Sequence, residues 1–138
     1  MFLVDTHVIS EARRGGEPAV RWLRSIDPRA IRLSVVTLAE IARGIALKQA
    51  RDPTSAAPLS QWLQRLRRNH AGRILPITDE IALEWGRLSA LRPRSAADAA
   101  IAATALVHGL TLVTRNVGDF EDAGVALVDP WGEAGSEP

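Results

Sequence analysis

The chain has no cysteine and no tyrosine, and only one methionine, among its 138 residues. Without cysteine there is neither a disulfide framework nor a thiolate zinc site, and His7, His70 and His108 show no metal-ligand spacing. A hard metal held by oxygen ligands is the metal chemistry that remains. Aromatic residues are scarce, two phenylalanines and four tryptophans, and most fall on apolar faces, so no platform for stacking bases is evident. Apolar runs are also short. None approaches the roughly 20 residues of a membrane span, and Met1-Phe-Leu-Val4 is too short for a signal peptide, so a cytoplasmic protein without a membrane partner is expected. A formal net charge of +1 excludes a uniformly basic nucleic-acid coat; any such contact must be local. Lys48 is the single lysine beside sixteen arginines. The arginines are scattered, which favours a compositional origin over a phosphate-binding surface. No serine sits in a nucleophile-elbow pattern, and Gly15-Gly16 lacks the Gly-Lys-Ser/Thr of a phosphate loop.

What is present, 46% hydrophobic and 24% charged residues without repeats or low complexity, fits one globular domain. Phe2-Leu-Val4, Ala30–Ser34, Arg73–Pro76, Leu110–Val113 and Ala126–Val128 read as short strands. Helical spacing intervenes: Val8, Ile9 and Ala12; Ala19, Val20, Leu23 and Ile26; Val36–Leu47; Leu59, Trp62, Leu63 and Leu66; and Asp79–Leu91. Pro53-Thr-Ser-Ala-Ala-Pro58 reads as a linker-like turn, and Arg65, Arg67 and Arg68 as the solvated face of the helix after it. Alternation of strand and helix predicts an α/β fold with a parallel sheet and helices on both faces. Trp22, Trp62 and Trp85 add apolar helix surface that a second copy of the chain could cover.

One stretch organises the functional reading. Asp98–Gly109 is built of strong helix formers with an acid near the start and a glycine at the stop, Leu110–Val113 is a strand, and Thr114–Asp119 carries turn chemistry. Asp119 therefore falls beyond the carboxyl end of a strand, the edge where open α/β sheets bind ligands. Asp5 follows the first strand, and Glu40 lies in the first turns of the third helix. Each acid alone has an ordinary explanation: Asp5 as a helix cap, Thr37-Leu-Ala-Glu40 as a capping box, Asp98 answering a helix dipole, Asp119 opening a turn. Four carboxylates converging on one edge would repel one another unless a cation were bound, and carboxylate with water suits Mg²⁺ or Mn²⁺. Such ions stabilise the attacking and leaving oxygens of a phosphoryl displacement, which makes phosphodiester hydrolysis the natural chemistry.

The motifs Asp5-Thr-His-Val-Ile-Ser-Glu11, Thr37-Leu-Ala-Glu40, Asp98-Ala-Ala-Ile-Ala-Ala-Thr-Ala105 and Thr114-Arg-Asn-Val-Gly-Asp-Phe120 stand in the order of a known family. From Phe2 to about Trp131 the chain resembles a PIN-domain ribonuclease, more narrowly a VapC-type toxin of the FitB-like group. The resemblance implies a three-layer α/β/α PIN domain over residues 1–131, with a central, mainly parallel four- or five-stranded sheet; residues 132–138 are expected to form a flexible tail. It implies an Mg²⁺- or Mn²⁺-dependent endoribonuclease with Asp5, Glu40, Asp98 and Asp119 as the acidic quartet. Asp5, Asp98 and Asp119 would be the metal ligands, and Thr6, Thr114 and Asn116 supporting polar residues. His7 is read as a polar neighbour. The implied partners are RNA, a cognate antitoxin and a second copy of the chain; the negative potential of the four acids leads to the expectation that an antitoxin tail inserts an arginine or lysine among them. One departure stands out: Arg92-Pro-Arg-Ser-Ala-Ala97 is shorter than the family's usual loop before the third acid. Receiver domains and haloacid-type phosphatases would want a lysine at the site, and Lys48 lies late in a helix. The alternative kept open is a catalytically silent binding module whose acidic pocket holds a partner's basic residue.

Overall fold

A computed structural model describes residues 1–132; residues 133–138, most of the expected tail, lie outside the described residues. Five strands, β1 (Phe2–Val4), β2 (Ile31–Ser34), β3 (Ile74–Leu75), β4 (Thr111–Val113) and β5 (Leu127–Val128), form one sheet in the order β3-β2-β1-β4-β5. Every pairing is parallel. The strands are apolar because a parallel sheet is covered on both faces, and successive side chains divide between the two covers. Leu3 and Leu112 pack with Ile81, Leu88 and Ile101, whereas Val4 and Val113 pack with Val8, Ile9, Ile41 and Leu66. Each of these buried side chains contributes roughly 1.5–3 kcal/mol relative to exposure.

The helices supply those two covers. α1 (Thr6–Arg13), α2 (Glu17–Arg24), α3 (Val35–Arg51) and α4 (Pro53–Asn69) build the second core; α5 (Asp79–Leu91) and α6 (Ala96–His108) build the first. The result is the three-layer α/β/α arrangement anticipated above. Residues Ala99–Ala105 of α6 are buried on every side, which small side chains permit where α5 crosses closely. Gly109 closes α6 in the left-handed region at φ 65°, as the sequence suggested.

Three local expectations are corrected. Pro53–Pro58 is not a turn: Asp52 caps α4, its carboxylate accepting from Ser55 N–H at 3.3 Å and from the Ser55 hydroxyl at 2.5 Å. Pro53 stands in the first turn, where its missing N–H costs nothing, and burial of Ala56 and Leu66 outweighs the bond lost at Pro58. Thr37 does not cap α3. Ser34 does so directly off β2, its hydroxyl accepting from Val36 N–H at 2.9 Å, which leaves Thr37 fully buried inside the helix. α6 likewise begins before Asp98, at Ala96, with Ser95 accepting from Asp98 N–H at 3.0 Å.

Trp22, Trp62 and Trp85 are half-buried against the two cores, so only part of each ring remains as open apolar surface. Leu83 and Leu91 of α5 and Leu47 of α3 are the large apolar side chains left exposed beside Met1. Arg65, Arg67 and Arg68 face water, as read from the helical spacing. Among the described residues, no helix is long and apolar enough to cross a membrane.

Candidate metal centre

Strand order reverses at β1, with β2 and β3 on one side and β4 and β5 on the other. A sheet wound in this way opens a crevice beyond the carboxyl ends of the strands at the reversal, here β1 and β4. Asp5 leaves β1 and Thr114 leaves β4 at that point, tied by Asp5 N–H to the Val113 carbonyl at 2.9 Å. Asp5 is also the N-cap of α1, its Oδ1 accepting from Thr6 N–H at 2.7 Å, so the ordinary explanation of this acid holds alongside the functional one. Oδ2 accepts from the fully buried Thr114 hydroxyl at 2.9 Å, and that hydroxyl accepts from Asn116 N–H at 3.1 Å. The carboxylate is thereby held at both oxygens.

A second network fixes Glu40. Thr6 Oγ1 lies 2.5 Å from Glu40 Oε1 and 2.9 Å from Thr37 Oγ1. A hydroxyl has one proton and a carboxylate can only accept, so Thr6 donates to Glu40 and accepts from Thr37. Buried Thr37 thus orients Thr6, and Thr6 orients the exposed Glu40, one turn further along α3 than a capping box would have put it. Asp98 comes to the same place from the first turn of α6.

Asp5, Thr6, His7, Ser10, Arg14, Glu40, Asp98 and Asn116 line one open pocket of about 410 Å³. Three of the four acids named from the sequence therefore share one pocket, with Thr6 and Asn116 on its wall and Thr114 beneath Asp5. Asp119 stands aside from that lining. It ends a short 3-10 turn, Val117–Asp119, is exposed, and has a carboxylate oxygen 3.7 Å from Arg92. It acts on the pocket through its charge.

Burial pushes the Asp5 carboxyl above its ordinary range; the Thr114 hydrogen bond opposes this, and the charges of Asp98 and Glu40 reinforce it. Asp98 is raised as well, by burial first, with the charges of Asp119 and Glu40 adding while Ser95 and Arg94 work against the shift. Two acids that resist ionisation beside further carboxylates make a region that favours a cation. The donors at the pocket are carboxylate, amide and hydroxyl oxygens with one imidazole, the hard set that suits Mg²⁺ or Mn²⁺ better than softer metals. Among the described residues, no three acidic or histidine side chains are drawn together as a ready-made cage for an ion. Mg²⁺ keeps several waters and takes one or two carboxylates, so this donor set fits it without such a cage.

Sequence reasoning missed two groups of residues. Ser10 and Arg14 reach the pocket because Thr6, Ser10 and Arg14 recur every four residues along α1 and its cap, a spacing that was visible. Arg14 is held by Glu11 at 2.6 Å, and His7 Nε2 lies 4.0 Å from the same carboxylate. Arg92 and Arg94, in the short loop before α6, turn back onto the Asp119 segment across 25 and more residues of sequence. Only the fold brings those together.

With this fold and this acidic edge the chain belongs to the PIN-domain family, whose match covers residues 2–125. It is 37% identical over 95% of its length to Toxin FitB of Neisseria gonorrhoeae, of which 99% is covered. It is 34% identical, again over 95% of its length and 98% of the relative, to VapC ribonuclease Y4jK of Sinorhizobium fredii. Among solved structures, FitAcB from Neisseria gonorrhoeae superposes with a TM-score of 0.86 at 37% identity, covering 95% of this chain and 99% of that one. A chain of a toxin–antitoxin complex from Klebsiella pneumoniae superposes at 0.71 with 27% identity, covering 95% of this chain and 98% of that one.

Proposed function

We propose that the chain is an Mg²⁺- or Mn²⁺-dependent endoribonuclease acting as the toxin of a toxin–antitoxin pair. The observation that carries this reading is the pocket at the β1/β4 crevice, where Asp5, Glu40 and Asp98 stand together, the carboxyl of Asp5 raised by burial and by the charges of Asp98 and Glu40, that of Asp98 by burial and by the charges of Asp119 and Glu40. The ribonuclease name of one relative and the toxin name of another support the substrate and the biological role. A divalent ion at these carboxylates would supply a polarised water and charge stabilisation for phosphodiester hydrolysis. Asp5, Asp98 and Asp119 are the residues proposed to hold it, Asp5 being the most firmly oriented of the three. Glu40, fixed by Thr6 and Thr37, is the residue proposed to accept a proton or to orient water. Arg14 at the rim offers a guanidinium to a phosphate of the RNA backbone.

Regulation follows from the same geometry. A groove lined by Ile41, Ile45, Leu59 and Trp62 shares Thr6, Ser10, Arg14 and Glu40 with the acidic pocket. An antitoxin tail lying there could direct an arginine or lysine among the carboxylates and exclude the ion. The proposal includes a homodimer, for which Leu83 and Leu91 of α5 are exposed apolar side chains available for burial. Since toxins of this kind act on cellular RNA, the cytoplasm is the proposed location.

The purified chain should cleave RNA in Mg²⁺ or Mn²⁺ and fall to background in excess chelator. Equal cleavage under chelation would remove the metal from the mechanism. No cleavage under any metal, with antitoxin binding intact, would favour the silent binding module, a reading to which the exposed position of Asp119 lends some support.

A further inference from the structure

The loop between α5 and α6 contains an arginine whose side chain is only 2% exposed, Arg94, four residues before Asp98. An arginine is seldom so buried unless it is paired; here the two terminal nitrogens are paired, while Nε is buried without a partner among the described residues. Arg94 Nη1 donates to the Asp119 carbonyl at 3.2 Å, and Nη2 donates to Asp122 Oδ2 at 2.6 Å. This charge-assisted bond holds the Asp122 carboxyl below its ordinary range. Arg92 reaches the same carbonyl at 3.3 Å and lies 3.8 Å from Asp122, but its side chain is 40% exposed, so it adds little. Asp119 and Asp122 belong to two consecutive 3-10 turns, Val117–Asp119 and Glu121–Ala123, each closed by short-range backbone bonds such as Asp119 N–H to the Asn116 carbonyl at 3.0 Å and Ala123 N–H to the Phe120 carbonyl at 3.0 Å.

We infer that Arg94 is a positioning residue: it locks the segment carrying Asp119 against the start of the helix carrying Asp98, and so fixes the spacing of these two acids. The inference rests on the proposed function for its consequence in catalysis, though not for the contact itself. The short loop gains a physical meaning here. With few residues between α5 and α6, Arg94 has little slack, and its planar fork can bind a carbonyl and a carboxylate at once. Lysine carries the same charge but only a point donor, so it cannot hold both partners in that geometry.

The test compares Arg94→Lys, Asp122→Asn and the control Arg92→Ala with the parent chain. Amide hydrogen exchange over residues 117–123 should rise about tenfold in Arg94→Lys and in Asp122→Asn, with the amides of β1 and α6 unchanged; Arg92→Ala should stay near the parent. The Mn²⁺ concentration for half-maximal RNA cleavage should rise by a factor on the order of 10, the size expected when support behind a metal ligand is lost. In an Asp119→Ala background, Arg94→Lys should then have no further effect on cleavage, because its route to the site is already gone. Unchanged exchange at 117–123 in Arg94→Lys would overturn the inference, as would a full additive loss on the Asp119→Ala background. If the parent chain cleaves no RNA, the nuclease reading fails, and the exchange measurement alone decides whether Arg94 holds the segment. Should Arg94→Lys not fold, Asp122→Asn tests the same bond from its other end.

Discussion

Asp5→Asn is expected to reduce RNA cleavage by about a thousandfold and at the same time to make the folded chain more stable at neutral pH. The first effect follows because the carboxylate charge is lost while its geometry is kept: asparagine is a good N-cap, can still accept from Thr6 N–H, and can place its amide against the Thr114 hydroxyl. Removing one preorganised charged group from a reacting centre costs on the order of 10²–10³ in rate even where binding persists. The second effect has the opposite sign from the usual loss on mutation. Asp5 is only 6% exposed, and burial raises its carboxyl above the ordinary value of 3.8. A carboxyl whose pKa is higher folded than unfolded holds its proton longer in the folded chain. Its contribution to stability is therefore fullest in acid and declines as pH rises from about 3.8 through the raised folded value. Asn has no such ionisation, so the melting temperature of Asp5→Asn should exceed that of the parent by a few degrees at pH 7 and converge towards it near pH 4. Thermal melts across that range, run beside cleavage assays, check both halves. A variant that is inactive and also less stable at pH 7 would mean that Asp5 serves the fold rather than the site.

Phe120→Ala should be the most damaging single change outside the acids, lowering stability by roughly 3–5 kcal/mol. Phe120 is 1% exposed and packs in the core beneath α5 and α6, immediately after Asp119 and two residues before Asp122. It is the apolar anchor of a segment otherwise held by Arg94. Urea unfolding should show a lower midpoint with little change in slope. Cleavage should fall at temperatures where the chain is still folded, because the 3-10 turn bearing Asp119 loses its foothold. Phe120→Leu, which refills part of the cavity, should recover most of both. A fall in stability with cleavage unchanged in the folded range would show that Asp119 is not needed where it stands.

Most strands were legible because they are short apolar runs ended by a charge or a turn, whereas β2 carries Arg32 and runs straight into α3; the alternation with helices implied the parallel sheet. Asp5 and Asp98 were legible for a related reason: each follows directly from where a strand ends or a helix begins. The errors share one cause. Pro53 and Pro58 signalled a break and Thr37-Leu-Ala-Glu40 signalled a cap, yet tertiary burial of Ala56 and Leu66, and a helix starting straight from β2 under Ser34, overrode both local signals. The hydroxyl relay from Thr37 through Thr6 to Glu40 joins residues 31 to 34 positions apart, and the Thr114–Asp5 bond spans 109. Such pairs cannot be read from spacing. Arg94 lies in a loop whose sequence stands out only for its length. What that loop does depends on a guanidinium turning inward, which composition does not announce.

Calorimetric titration of Mn²⁺ into the purified chain tests most directly, and without recourse to activity, whether the carboxylates at the β1/β4 crevice form a divalent-metal site. The parent chain should bind Mn²⁺ saturably at pH 7, and Asp98→Asn should bind it at least about tenfold more weakly while remaining folded. Absence of Mn²⁺ binding by the folded parent chain, or equal binding by Asp98→Asn, would contradict the account.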